Sequence, residues 1–406
     1  MIRVERHQLH NRYLDRLCFL SKNLYNYANF LIRQEWINTR GYLNAYELVG
    51  KLAAENQPDY RALPSNVSQQ IIYQLFKNWK SFYRASKDYQ KHPEKYKARP
   101  KMPQYKHKTE GRNLLIFTRN ACRLKAGYVH FANDIIKPIR TKGEKIKQAR
   151  LVPQSSSFVL EVVYEKEKKH HELSGDRYVS VDLGVDNLAT LVTNLDSRPL
   201  LVNGRIVKSW NQYYNKRKAY LASIGASRQI RRLGLKRLNK ITDYFHKTSR
   251  FIITYCLEHQ IKVLIVGYNK DWKQEVNLGR VNNQKFASIP YQNLIQQLQY
   301  KAEEVGIEVA LQEESYTSKC DALALEEVCQ HEQYLGRRVR RGLFQSSVGR
   351  FIKADVNGAL NILRKGIGDH FVRNVVGDDF ARNPLNRGFA DNPVKVDFLH
   401  ECSCLA

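Results

Sequence analysis

Between Asp15 and Trp36 the apolar residues Leu17, Leu20, Leu24, Tyr27 and Leu31 recur at three- and four-residue steps, the period of an amphipathic helix. A second stripe starts after the capping signal Pro64-Ser65-Asn66 and runs through Ile71, Ile72, Leu75, Phe76, Trp79, Phe82 and Tyr83. The two predict a helical bundle, and at this spacing the aromatic side chains belong to its core. Shorter runs predict strands: Met1–His10 at an edge, Asn113–Thr118, Tyr128–Phe131 and Ser157–Tyr164, with Lys137–Arg150 as a charged connector. Together they predict a small β-barrel interrupted by the bundle.

After a polar linker at Glu165–His171 the pattern changes. Tyr178-Val179-Ser180-Val181 reads as a buried strand that ends by presenting Asp182. Asn187–Thr193 follows a turn containing Gly184, and Leu200–Val207 is a third strand. Then come a long helical region closing at Phe251–Leu257, a fourth strand Val263–Val266, a helix Tyr291–Val305, a fifth strand Ile307–Leu311 and a helix beginning at Ala354. Three strands in a meander, helices and a fourth strand resemble the order of the α/β ribonuclease-H-like fold, which implies that the Asp ending the first strand is a magnesium ligand. Gly366–Ala406 shows no periodicity and is expected to be a poorly ordered tail.

Charge narrows the partners. The 406 residues hold 67 Lys+Arg against 39 Asp+Glu, a net +28 suited to a polyanion. Nucleic acid is the first expectation and an anionic membrane the second. No apolar run approaches the ~20 residues of a spanning helix, and MIRVERHQLH carries no signal core. Seven scattered cysteines argue against a disulfide framework and for a reducing, cytoplasmic location.

The cations are clustered. Lys87–Lys108 holds eight Lys/Arg and two acids with three prolines and three tyrosines, an extended strip in which Lys97, Arg99, Lys101, Tyr105 and Lys106 are expected to meet phosphates and bases. Asn203–Arg250 carries thirteen Lys/Arg and one acid. Arg231, Arg232, Lys236, Arg237 and Lys240 crowd two helical turns there, an arrangement that mutual repulsion disfavours unless a polyanion neutralises it. A third run, Gly336–Gly342, contributes Arg337, Arg338, Arg340 and Arg341 as a nucleic-acid-contacting hairpin.

The acids are sparser. The fourth strand runs into Gly267-Tyr268-Asn269 with no carboxylate, whereas the fifth ends in Glu313-Glu314 and the last helix opens with Asp355. Phosphodiester cleavage by paired Mg²⁺ ions needs hard oxygen ligands converging from different elements. Asp182, Asp355 and one of the tandem glutamates are the candidates. Adjacent strand residues face opposite ways, and Glu314, nearer the loop, is preferred.

At these residues the chain resembles the TnpB family, transposon-encoded RNA-guided DNA nucleases related to compact type V effectors. The resemblance is carried by VSVDLGVDN from Val179, the basic helices before LIVG at Leu264, SYTSK at Ser315 and ADVNGALNIL at Ala354. It implies an oligonucleotide-binding-like wedge (residues 1–11 and 93–172), a helical recognition domain (12–92) and a RuvC-like nuclease domain (173–366), with a tail over 367–406. It further implies two Mg²⁺ ions, a transposon-end guide RNA and a double-stranded DNA target with a short adjacent motif; no membrane partner is expected, and the oligomeric state is left open, a monomer being favoured. Two departures stand out. The usual Glu after the fourth strand is Gly267, so either Glu314 supplies that ligand or the protein is a nuclease-inactive guided DNA binder; an accessory RNA-binding role in transposition is a third reading. The usual four-cysteine zinc ribbon is reduced, within the insertion 317–353, to Cys320 and Cys329 with His331 nearby, so no structural zinc is expected.

Overall fold

The computed structural model describes all residues except 40, 42, 155–156, 170, 196, 270–287, 373–391 and 399–406. The chain divides into two compact units, residues 1–167 and 168–406.

In the first unit, β1 (Ile2–Leu9) is followed by four helices, α1 (Arg12–Thr39), α2 (Ala45–Ala54), α3 (Pro58–Arg61) and α4 (Ser65–Lys91). The strands then resume as β2 (Leu115–Thr118), β3 (Cys122–Lys125), β4 (Tyr128–Phe131), β5 (Ile139–Arg140), β6 (Lys145–Gln154) and β7 (Ser157–Glu165). β1, β7, β6 and β2 form one antiparallel sheet in that order, and β3, β4 and β5 a second. The stripes of α1 and α4 share one buried core: Leu17, Leu24 and Ala28 with Ile72, Leu75 and Trp79, whose indole donates 2.9 Å to Asn29 Oδ1.

Two expectations need correction here. The charged connector at Lys137–Arg150 is β5 and the start of β6, where Ile146, Ala149 and Leu151 are buried. A register shift between Ile146 and Gln148 breaks the alternation that would have marked the strand. The extended basic segment begins later than read, because α4 continues through Lys91 and Pro93 opens a short 3₁₀ turn.

The second unit is built on a six-stranded sheet. Its strands are β8 (Ser174–Asp182), β9 (Asn187–Thr193), β10 (Leu200–Asn203), β11 (Ile261–Gly267), β12 (Glu308–Gln312) and β16 (Val394–Val396), in the order β12-β11-β8-β9-β10-β16. β8, β9 and β10 make the antiparallel meander, while β11 lies parallel to β8 and β12 parallel to β11. α5 (Arg205–Ser223), α6 (Ser227–Glu258) and α7 (Tyr291–Val305) lie in sequence between the strands. β13 (Arg337–Arg340), β14 (Leu343–Gln345) and β15 (Phe351–Lys353) form a small antiparallel sheet leading into α8 (Ala354–Ile367).

The sheet has two different faces. Val179, Val181, Leu264 and Val266 join Ile241, Phe245, Ile252, Leu294 and Leu298 of α6 and α7 in one core. Val192, Leu201 and Ile265 join Val356, Ala359, Leu360 and Leu363 of α8 in the other. The third strand stops at Asn203, whose Oδ1 accepts from Arg205 N at 3.0 Å, so Ile206 and Val207 are helical rather than extended. The tail is also corrected in part: Val394–Val396 adds a parallel strand at the β10 edge, and Phe371 and Val372 are buried. Residues 373–391 and 399–406, the latter with Cys402 and Cys404, lie outside the described residues. Among the described residues no helix is long and apolar enough to cross a membrane.

Candidate functional site

Strand alternation decides which way Asp182 points. Val179 and Val181 are spent on the α6/α7 core, so Ser180 and Asp182 turn to the α8 face. There Ser180 Oγ donates 2.7 Å to Ala359 O. Gly358 of α8 lies against the Asp182 carboxylate: a Cβ on it would sit 2.9 Å from Asp182 Oδ2, so only glycine lets helix and acid approach this closely. One turn earlier Asp355 occupies the first turn of α8, a position the helix dipole favours for an anion. Asn187 Nδ2 donates 2.7 Å to Asp355 Oδ2 and fixes its orientation.

The third carboxylate arrives from β12. Gly267 pairs with Gln312 in the β11–β12 register, so two residues on the chain reaches Glu314 beside the end of β11. A Cβ built on Gly267 would lie 2.6 Å from Glu314 Oε2 and equally 2.6 Å from Ile362 Cδ1. The carboxylate of residue 314 and the tip of Ile362 thus share the space that a side chain on residue 267 would take. Asn269 brackets it, with Nδ2 donating to Glu314 Oε1 and Oδ1 accepting from Glu314 N, both at 3.4 Å. Glu313 turns away: its carboxylate accepts from Ser315 N and is paired with Lys365 Nζ, each at 2.8 Å, interactions that lower its pKa against the opposing effect of burial.

Asp182 feels both other acids. Burial first, then the negative charges of Glu314 and Asp355, raise the Asp182 pKa well above the ordinary carboxylate range, and Arg338 opposes the shift. The Tyr291 hydroxyl, which donates 2.8 Å to Gly184 O, is raised by burial and by the same three acids with Asp186. Such an arrangement carries more negative than positive charge, and its oxygen donors suit a hard divalent cation. Among the described residues no three His, Cys, Asp or Glu side chains already close into a ligand cage. The set fits divalent ions by charge and donor type without being drawn together around them.

The predicted cations divide by environment. Arg231, Arg232, Lys236 and Lys240 on α6 are exposed, but Arg237 is tied down, its guanidinium bound to Asn211 Oδ1 and to Ser288 O at 2.6 Å and lying over the Tyr214 ring. Along the strip, Lys97, Arg99, Lys101 and Tyr105 are exposed. Its main chain is clamped by α1: Asn26 exchanges two 2.9 Å hydrogen bonds with the Lys106 backbone, and Asn29 and Arg33 donate to Pro103 O. Lys106 itself is half-buried over Tyr25, and burial lowers its pKa. In the hairpin, Arg341 pairs with Asp186 at 2.7 Å, Arg338 acts on Asp182, Arg337 bonds Gln345, and Arg340 is exposed.

Several contributors escaped sequence reasoning. Asp186 holds Lys208 as well as Arg341, each at 2.7 Å. Asn357 and Asn361, fully buried one turn apart on α8, hook the loop after Glu314: Asn357 Nδ2 donates 2.8 Å and Asn361 Nδ2 2.7 Å to Cys320 O, and Asn361 also reaches Thr317 O. A pair of amides four apart in an otherwise apolar helix is the signal that was there to be found.

Residues 161–273 match a family model described as "Probable transposase", and residues 291–362 match "Cas12f1-like, TNB domain". A curated relative, "TnpB-like protein ORF457" of Acidianus two-tailed virus, is 26% identical over 208 residues, covering 48% of this chain and 43% of that protein. The chain thus spans less than half the length of that relative. Among solved structures, the fold is similar to the protein in "Cryo-EM structure of the Cas12f1-sgRNA-target DNA complex", with a TM-score of 0.51, 13% identity, and coverage of 86% of this chain and 81% of that one.

Proposed function

These matches support a TnpB-family protein related to compact type V effectors, and from that premise we propose that the chain is an RNA-guided endonuclease of a transposon that cuts double-stranded DNA. Asp182, Glu314 and Asp355 are its catalytic carboxylates. The observation that carries this reading is the Glu314 carboxylate reaching the end of the fourth strand, where its Oε2, beside the tip of Ile362, lies 2.6 Å from where a Cβ on Gly267 would be. The acid the family places after the fourth strand is supplied here from the neighbouring one.

Two Mg²⁺ ions held by the three carboxylates supply, when bound, an activated water and charge neutralisation at the leaving oxygen. The chain's own residues prepare that chemistry. Asp182, Glu314 and Asp355 would supply the oxygen ligands, Asn187 and Asn269 orient Asp355 and Glu314, and the positive charge of Arg338 acts on Asp182 where an anionic backbone has to approach. The exposed cations Arg231, Arg232, Lys236 and Lys240, with Lys97, Arg99 and Lys101, neutralise phosphates of the guide and target. Residues 1–11 and 93–172 serve as the wedge and 12–92 as the recognition domain.

The test is reconstitution with the element's end RNA and a matching duplex in Mg²⁺. The parent is expected to cut; Asp182→Ala, Glu314→Gln and Asp355→Ala are expected to bind without cutting; the exchange Gly267→Glu with Glu314→Gly is expected to restore cleavage. Parental cutting by Glu314→Gln sinks the relocated ligand. Guided binding by a parent that never cuts selects the second reading, a nuclease-inactive DNA binder, which the open arrangement of the carboxylates also accommodates.

A further inference from the structure

The segment after Glu314 is where the family's zinc ribbon is expected, and its residues do not fit a zinc ion. Cys320 Sγ donates to Cys329 O at 3.5 Å, while the Nε2 of His331 is engaged with Glu327 O at 2.8 Å and Cys329 Sγ at 3.4 Å. Two thiols and one imidazole fall short of the four ligands a structural zinc takes. Nevertheless the segment holds an ordered three-stranded sheet.

What occupies its centre is a pair of buried carboxylates. Asp321 is fully buried and Glu326 is 6% exposed. Asp321 Oδ2 accepts from Ser346 Oγ and Ser347 N, both at 2.7 Å, and from Ser347 Oγ at 3.0 Å. Its Oδ1 accepts from Leu323 N and Ala324 N at 3.2 and 3.3 Å. Glu326 Oε1 accepts from Leu335 N at 2.8 Å, and Oε2 from Asp321 N at 2.6 Å. Leu335 precedes β13 and Ser346 follows β14, so the two acids grip both feet of one hairpin and are joined to each other. A buried carboxylate is costly unless its lone pairs are satisfied, and once satisfied it fixes its donors firmly.

We infer that Asp321 and Glu326 form a metal-free clamp that does the organising work a zinc ion would do and positions the Arg337–Gln345 hairpin against Asp186, in the turn that follows Asp182. Asp321 and Glu326 are positioning residues: they act through Arg341, which pairs with Asp186 at 2.7 Å. The role in cleavage rests on the endonuclease reading; the clamp itself does not.

Hydrogen exchange on the full chain tests this, with and without the zinc chelator 1,10-phenanthroline, alongside Mn²⁺ binding by calorimetry. The chelator is expected to leave the parent's exchange unchanged. Asp321→Asn, which puts an amide donor among five donors, is expected to speed exchange across residues 335–347 by about tenfold or more, with β8, β11 and β12 still protected, Mn²⁺ binding retained and guided cleavage reduced. Ser346→Ala, which keeps the fold and removes one of the five bonds, is expected to give a smaller rise at the same residues. Opening of the parent's hairpin by the chelator, or unchanged protection of 335–347 in both variants, overturns the clamp. Failure of the endonuclease reading looks different: exchange behaves as described, while Mn²⁺ binding is indifferent to Asp182→Ala.

Discussion

Two arginine-rich stretches look alike in the sequence and part company in the structure. On α6, Arg231, Arg232, Lys236 and Lys240 stand in solvent around the one guanidinium, Arg237, that is tied to its neighbours. On the β13–β14 hairpin, Arg341 closes on Asp186 and Arg338 acts on Asp182. The first stretch presents its charge to solvent; the second has one of its cations, Arg341, already paired with an acid of its own unit. A run of cations states a need for anions, and only its placement says whose anions they are.

That contrast breaks most completely when the acids are removed. Glu314→Gln or Asp182→Ala is expected to cost cleavage on the order of 10³-fold, about 4 kcal/mol of transition-state stabilisation, with guided binding intact in an electrophoretic shift assay. Neutralising the exposed α6 cations should do the reverse. Gln at Arg231, Arg232, Lys236 and Lys240 together is expected to weaken nucleic-acid binding by roughly 10²-fold at low salt and to flatten the dependence of log K on log salt by about 3 to 4. An unchanged slope would mean that these cations meet no phosphates. Arg338→Gln is the finer probe: about tenfold in cleavage, little in affinity, and tighter Mn²⁺ binding as a competing cation leaves the site.

The smallest effect concerns pH. Because the folded state holds the Asp182 pKa above its unfolded value, the neutral acid's stabilising contribution is present at low pH and is lost as pH rises through the elevated folded value. Metal-free protein is therefore expected to lose thermal stability over that rise, Mg²⁺ to restore it, and Asp182→Asn to raise the metal-free Tm while abolishing cleavage. A Tm that does not respond to Asp182→Asn would place the acid outside a charge-crowded site.

Periodicity exposed most of this architecture because each element buries one face. The stripes of α1 and α4, the run into Asp182 and the apolar side of α8 all coincide with cores. It failed where period and burial part: β6, whose register shifts beside Ile146, and Leu200–Val207, where Asn203 starts a helix under apolar residues. Asp182 and Asp355 stood out as candidates because one ends a strand and the other opens a helix, and Glu314 because it follows a strand by two residues. Asp321 and Glu326 did not, since a polar residue satisfied by main-chain donors leaves no pattern in its neighbours. Glu314 was preferred over Glu313 for lying nearer the loop, and the two side chains do go to different places, Glu314 to the end of β11 and Glu313 to Lys365.

The crowding at Gly267 constrains substitution. A side chain there would meet both the Glu314 carboxylate and the tip of Ile362, each 2.6 Å from where its first carbon would sit, so any larger residue at 267 has to displace one neighbour or the other. Room at the end of the fourth strand and an acid just past the fifth are thus one structural choice, and neither position can be altered without regard to the other.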